Sequence, residues 1–291
     1  MPAARLQIAP YARQHRRPLL DLMNRSRWTH THLDWQSIPD WLADESAAVW
    51  LAFADNELLG YIGLSQSVAG WRWLRLLGIG ELRKPRLILR QLWARAEAAC
   101  QDAADAGIAC LMLANWLPAY FAELSFQYRD DLVMLQHIGS RLPPRRDSLA
   151  AVRPLESEDL PQLAGIDKLA FAPPWQIERA ELWQAYRACA FSTVATIRGA
   201  VVGYQLCARH DAAAHLARLA VHPAHQGRGV ASLLLHELLS DLLRRGISAI
   251  SVNTQASNHR SQRLYQRFGF LHNGKEYPVW QKTLGMARVK A

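Results

Sequence analysis

Six residues, Gln226-Gly227-Arg228-Gly229-Val230-Ala231, have the composition and the setting of a loop that holds a diphosphate. They follow an apolar run, residues 216–221, that reads as a strand, and Pro223 removes a ladder donor and ends it. Gly227 and Gly229 let the backbone curl so that successive N–H groups point to one side. A helix predicted from Val230 adds the positive end of its dipole, with the amides of Ala231 and Ser232 in its first turn. Further along, residues 247–254 read as a second strand, and Asn258 suits the N-cap of a helix. Tyr265 lies seven residues beyond Asn258, two turns along the same face.

The first stretch resembles motif A of the GNAT superfamily of N-acetyltransferases, in which Gln or Arg is followed after two residues by Gly and, one residue later, by Gly or Ala. Gln226, Gly229 and Ala231 fill those places, and Leu219-Ala220-Val221-His222-Pro223 is similar to the strand and proline before them. Residues 252–270 resemble motif B. The resemblance implies acetyl-CoA as co-substrate, no metal, and a primary amine as acceptor. It also implies that the strand splays from its neighbour, leaving the backbone of Leu219, Ala220 and Val221 to pair with the pantetheine arm. The Val221 N–H would then act as an oxyanion donor. Asn258 would contact the pantetheine, and Tyr265 would donate a proton to the departing thiolate. A plainer reading makes Tyr265 a core aromatic beside Leu264, Phe268 and Phe270.

In the subgroup that acetylates protein N-termini a glutamate stands five residues before the motif asparagine, and here that residue is Asn253. An amide cannot accept a proton. The amine loses its proton through an ordered water near Asn253, or it arrives neutral, which suits an α-amine of pKa about 7.7–8 better than a lysine near 10.4. His215, His222, Glu181 and Glu276 are the other candidate relays. Neither motif supplies an activated cysteine or serine, so direct transfer is expected. Asn253 also keeps open a catalytically silent acyl-CoA-binding regulatory protein. Two segments could wall the acceptor pocket: residues 171–176, Phe171-Ala-Pro-Pro-Trp175-Gln176, and the loop of residues 275–280 carrying Tyr277, although each could equally be a hydrophobic plug between domains. The first also resembles a segment of ribosomal-protein alanine acetyltransferases.

The elements that must position these residues occur twice. Residues 5–140 and 150–284 each open with a short strand and a helix. Each continues through a hairpin: residues 48–64 turn at Asp55-Asn56-Glu57, and residues 191–206 turn at Arg198-Gly199-Ala200. Gly60-Tyr61 and Gly203-Tyr204 fall at the same place in the two hairpins. Each half then predicts strand, long helix, strand and shorter helix, the last over 120–128 in the first half. The fold expected is therefore α/β (α+β): two tandem GNAT-like domains, each a mixed, mostly antiparallel sheet flanked by helices. Paired prolines and charges at Arg141-Leu-Pro-Pro-Arg-Arg-Asp147 mark the connection, giving domains of 1–145 and 146–291. In the first half the loop before the long helix holds Glu81 and Pro85, a poor phosphate cradle. That half is expected to be a degenerate domain without cofactor, and the second half the catalytic one.

With 291 residues, half of them hydrophobic, the chain can bury a sizeable core. Its net charge of +9 divides unevenly: 16 basic against 14 acidic residues in 1–145, and 18 against 11 in 146–291. The excess is scattered rather than gathered with aromatics, which argues against nucleic acid and for a local anionic ligand. No segment has the length and apolarity of a signal peptide or membrane span, so a cytoplasmic protein without membrane attachment is expected. Cys100, Cys110, Cys189 and Cys207 lack metal-site or disulfide spacing and read as buried thiols in a reducing compartment. Self-association is left open.

Overall fold

The computed structural model describes residues 6–44, 48–80, 85–139, 142–145 and 148–285. The chain runs β1 (Gln7–Pro10), α1 (Arg16–Arg25), β2 (Trp28–Thr31), α2 (Ile38–Trp41), β3 (Ala48–Ala54), β4 (Glu57–Leu64), β5 (Trp71–Ile79), α3 (Pro85–Asp102), β6 (Gly107–Leu111), α4 (Pro118–Phe121) and β7 (Gln127–His137). It continues through β8 (Ala151–Pro154), α5 (Leu160–Ala170), α6 (Arg179–Ala188), β9 (Phe191–Ile197), β10 (Ala200–His210), β11 (Ala213–Val221), α7 (Val230–Arg244), β12 (Ala249–Gln255), α8 (His259–Arg267) and β13 (Phe270–Thr283). Two compact units result, one of Met1–Arg129 with Tyr277–Ala291 and one of Asp130–Glu276. These bounds differ from the 1–145 and 146–291 read from the repeat. Residues 132–136 of β7 pair with β12 in the second unit, and residues 279–283 of β13 pair with β6 in the first.

In the first unit the strand order is β1-β3-β4-β5-β6-β13, with α3 packed on β3 and β4. The β3–β4 hairpin closes on Asp55 and Asn56, both at positive φ, as a two-residue turn matched to strand twist requires. Opposite the step from Gly63 to Leu64, β5 carries one extra residue, Arg75. Parallel pairing with β6 covers only Trp71 to Trp73. Residues 76–79 of β5 pair with β4 along one edge, and β2 pairs with the other, from Thr31↔Leu76 to Trp28↔Ile79. A strand has two edges, so β2 takes the one that β6 has left.

The second unit has the order β13-β7-β12-β11-β10-β9-β8. Here β11 carries its extra residue, Ala217, opposite the step from Leu206 to Cys207. Parallel pairing with β12 stops at Leu216↔Val252, although both strands continue. A bulge increases twist, and beyond it the two strands part. Among the described residues no strand takes up the edge of β11 over 219–221. Leu216, Leu235, Leu238, Leu239, Val252 and Phe270 join one core cluster, which fixes α7 on β11 and β12.

The shorter helix expected over 120–128 contracts to Pro118–Phe121. Ser125 at φ 62° breaks it, and Gln127 starts β7, whose apolar Leu132, Val133 and Leu135 are buried. Glu81 lies outside the described residues, as do Arg141, Arg146 and Asp147 of the connection.

Candidate functional site

The cradle begins where β11 ends. His222 donates its N–H to the Val202 carbonyl (2.9 Å), which sets the alternation of the ladder: the N–H and C=O of Val221 and Leu219 point away from β10, toward the gap left by β12. Ala220, expected to share that role, turns its backbone toward β10. Gln226 crosses the gap, donating its side-chain amide to the Val221 carbonyl (3.0 Å) and accepting from Arg260 on α8 (2.6 Å).

Gly227 and Gly229 sit at φ 79° and 82°, in the left-handed region, and a Cβ at either would meet nothing within 4 Å. Backbone conformation rather than packing therefore demands glycine, and the space above the loop is open. Gly229 is the N-cap of α7, with no side-chain cap and no acidic residue in the first turn. The leading amides of the helix, at Val230, Ala231 and Ser232, thus lack the capping oxygen that a Ser or Asp would bring. Val230 buries its side chain and offers only backbone, whereas Arg228 is exposed. The Ser232 hydroxyl accepts from Arg267 (2.7 Å). Amides without an acceptor among the described residues, a helix N-terminus and nearby guanidinium groups fit a diphosphate.

On α8, Asn258 caps the helix by accepting from the Ser261 N–H (3.1 Å). Tyr265 is 5% exposed, and burial holds its phenol well above the usual tyrosine range, so it stays protonated at neutral pH. The loop before α8 is braced from β7, which sequence reasoning missed. Asp130 accepts from the Ser257 hydroxyl (2.5 Å), and the Asp131 carbonyl accepts from the Ala256 N–H (2.8 Å). The signal was available only as an acidic pair just past the helix read over 120–128.

Asn253 lies opposite Met134 of β7, on the partly exposed face of β12 that also carries Ser251. His215 Nδ1 and the Ser251 hydroxyl are 2.9 Å apart, and burial lowers the imidazole pKa and keeps the ring neutral. His222 accepts from the Ala224 N–H (3.2 Å) and shapes the turn. Glu181 belongs to the N-terminal cap of α6, and Glu276 is exposed.

The 171–176 segment joins α5 to α6. Its position is set by Asp167, another residue missed from sequence. Asp167 accepts from Tyr204 (2.5 Å), from Arg218 twice (2.7 and 2.8 Å) and from the Ile177 N–H (2.9 Å). Arg218 also donates to the Trp175 carbonyl (2.7 Å), and its guanidinium carbon stands 3.8 Å from the Phe171 ring centroid. Tyr277, by contrast, is grouped with the first unit, whereas the residues that build the cradle belong to the second. Among the described residues no group of three or more His, Cys, Asp or Glu side chains could hold a metal, and no helix is long and apolar enough to cross a membrane.

Comparison with known proteins bears on this geometry. The model of the acetyltransferase (GNAT) family matches residues 158–270. Over 116 residues the chain is 30% identical to the ribosomal protein bS18-alanine N-acetyltransferase of Escherichia coli (strain K12), covering 40% of this chain and 77% of that protein. The counterpart from Haemophilus ducreyi is 29% identical over 119 residues, 41% of this chain and 81% of that protein. Among solved structures, a tandem GNAT protein from the clavulanic acid biosynthesis pathway superposes with a TM-score of 0.64 at 17% identity, covering 96% of this chain and 98% of that one. A GCN5-related N-acetyltransferase from Sphaerobacter thermophilus gives 0.60 at 16% identity over 96% and 95% of the two chains. At these identities the solved structures establish the fold alone: the tandem arrangement of two such domains.

Proposed function

Taking as premise that the chain belongs to the GNAT family of acetyltransferases and is an acyltransferase, we propose that its second unit moves acetyl from acetyl-CoA directly onto a primary amine. The protein N-terminal α-amine is the acceptor class we favour, because relatives at about 30% identity are named for alanine N-acetylation of a ribosomal protein. The observation that carries the reading is the combination of an open, left-handed glycine loop at the start of α7 with an edge of β11, over 219–221, that no strand among the described residues takes up.

When bound, acetyl-CoA supplies the activated acyl group. The amides following Gly227 and Gly229 hold its diphosphate, with Arg228 adding charge. Leu219 and Val221 align the pantetheine, and the Val221 N–H stabilises charge on the carbonyl oxygen as the amine nitrogen attacks the carbonyl carbon. As the carbon–sulfur bond breaks, Tyr265 gives its proton to the sulfur and is reprotonated from solvent. The proton of the incoming amine leaves through water beside Asn253, a route that suffices for an α-amine already partly neutral near pH 8.

Free-thiol release with acetyl-CoA and a panel of amines tests this: a peptide with N-terminal alanine, the same peptide N-blocked with an internal lysine, and a polyamine. The first is expected to be acetylated fastest, and Tyr265→Phe to lower kcat by about 10²-fold while leaving acetyl-CoA affinity intact. Binding without product for every amine would instead favour a silent acyl-CoA sensor, the reading that Asn253 motivates. We further propose that the first unit is degenerate and binds no CoA, since β2 holds the corresponding edge of β5. Four free, buried thiols suit the reducing cytoplasm.

A further inference from the structure

Resting on the acceptor-wall reading of residues 171–176, we propose that Asp167 and Arg218 are positioning residues that lock this wall to β11 and so set where the amine stands against the thioester. Arg218 is the first residue after the extra Ala217 and immediately precedes Leu219, whose backbone faces the open gap. The strand that would hold the thioester is thus also the strand that carries the anchor.

The anchor grips the wall at two points and the residue that follows it at a third. The Phe171 ring lies against the guanidinium, the Trp175 carbonyl accepts from it, and the Ile177 N–H donates to Asp167. Asp167 is fully buried, and the protein supplies partners for both of its oxygens. A buried ion pair is a weak device for stability alone, because well-packed apolar side chains would serve as well. Its convergence on one loop from one strand is what an apolar pair could not reproduce. Arg218 pairs with both oxygens of Asp167, donates to the Trp175 carbonyl and lays its plane on the Phe171 ring, and a lysine lacks the fork for the paired bonds and the plane for the ring. Because a displacement of about 1 Å at a reacting centre can cost about 10²-fold in rate, a loosened wall registers in the acceptor parameters.

Arg218→Lys keeps the charge and loses the fork. Tyr204→Phe is the control, since it removes the hydroxyl bond to Asp167 (2.5 Å) and none of the bonds that Arg218 makes. For Arg218→Lys we expect acetyl-CoA affinity by calorimetry within about twofold of the parent, acceptor KM for an N-terminal alanine peptide raised about tenfold or more, and faster amide exchange confined to 171–177. Phe171→Leu, which removes the ring and leaves the buried pair, is expected to raise acceptor KM by a smaller factor and covers the case in which Arg218→Lys does not fold. Unchanged exchange over 171–177 together with unchanged acceptor KM in Arg218→Lys overturns the proposal, as does a Tyr204→Phe protein with the same loss. If the parent acetylates no amine, the proposed function fails on its own, and the exchange measurement still decides the anchoring.

Discussion

At the scale of single residues the site depends on what is missing from side chains as much as on what is present. Gly229 has φ 82° and open space where a Cβ would stand. Gly229→Ala strains that backbone by about 1–2 kcal/mol and places a methyl group over the helix end. Calorimetry should show acetyl-CoA binding weakened by about tenfold or more, with only a modest fall in Tm; unchanged affinity would mean that the diphosphate lies elsewhere. Burial raises the pKa of Tyr265, and likewise those of Tyr61 and Tyr204. Their ordinary value is near 10, so the stability these neutral phenols contribute is complete below about pH 10 and is lost as pH rises further, where the unfolded chain ionises and the native one does not. Denaturant melts between about pH 9 and 11 should show a downward slope that is shallower in Tyr265→Phe. Across the same series, kcat should rise through about pH 8 as an α-amine acceptor loses its proton, with no fall from Tyr265 below about pH 10.

At the scale of elements, one extra residue separates pairing from opening. Ala217 in β11 and Arg75 in β5 occupy the same place in the two units, and in both the parallel neighbour leaves the ladder at that point. The units then differ. The gap beside β5 is taken by β2, four residues of antiparallel ladder, whereas among the described residues no strand enters the gap beside β11, where the side chain of Gln226 reaches Val221. A pantetheine arm that pairs with a strand edge cannot enter where a strand already pairs. Calorimetry is therefore expected to give one acetyl-CoA per chain, and Gly229→Glu to remove that single binding event; a stoichiometry near two, or residual binding of equal strength, would show the first unit to be competent.

At the scale of the whole chain, each unit borrows a segment from the sequence of the other. Residues 130–137 belong with the second unit, where β7 pairs with β12 and Asp130 braces the loop before α8. Residues 277–283 belong with the first, where β13 pairs with β6 and Lys282 bonds Glu97 (2.6 Å). A fragment cut at 146 exposes the β12 edge and leaves Ser257 without Asp130. It should melt lower and less cooperatively by circular dichroism than a fragment of 130–276. Equal melting would show that β7 contributes little to the second unit.

Local chemistry was legible in the sequence because it depends on near neighbours. A left-handed turn needs glycine at Gly227 and Gly229 whatever surrounds it, a helix start selects Asn258, and an apolar run stopped by Pro223 is a strand end in any fold. The repeated order of elements followed for the same reason. Contacts made over long separations were not legible. Nothing near Asp167 in the chain announces Arg218, 51 positions away, nor does anything near Ser257 announce Asp130, 127 positions away. Periodicity assigns β2, β7 and β13 as strands or fails to, but which edge a strand takes is decided by the backbone groups left unpaired once every other strand is placed. That final pairing separates the closed gap of one unit from the open gap of the other.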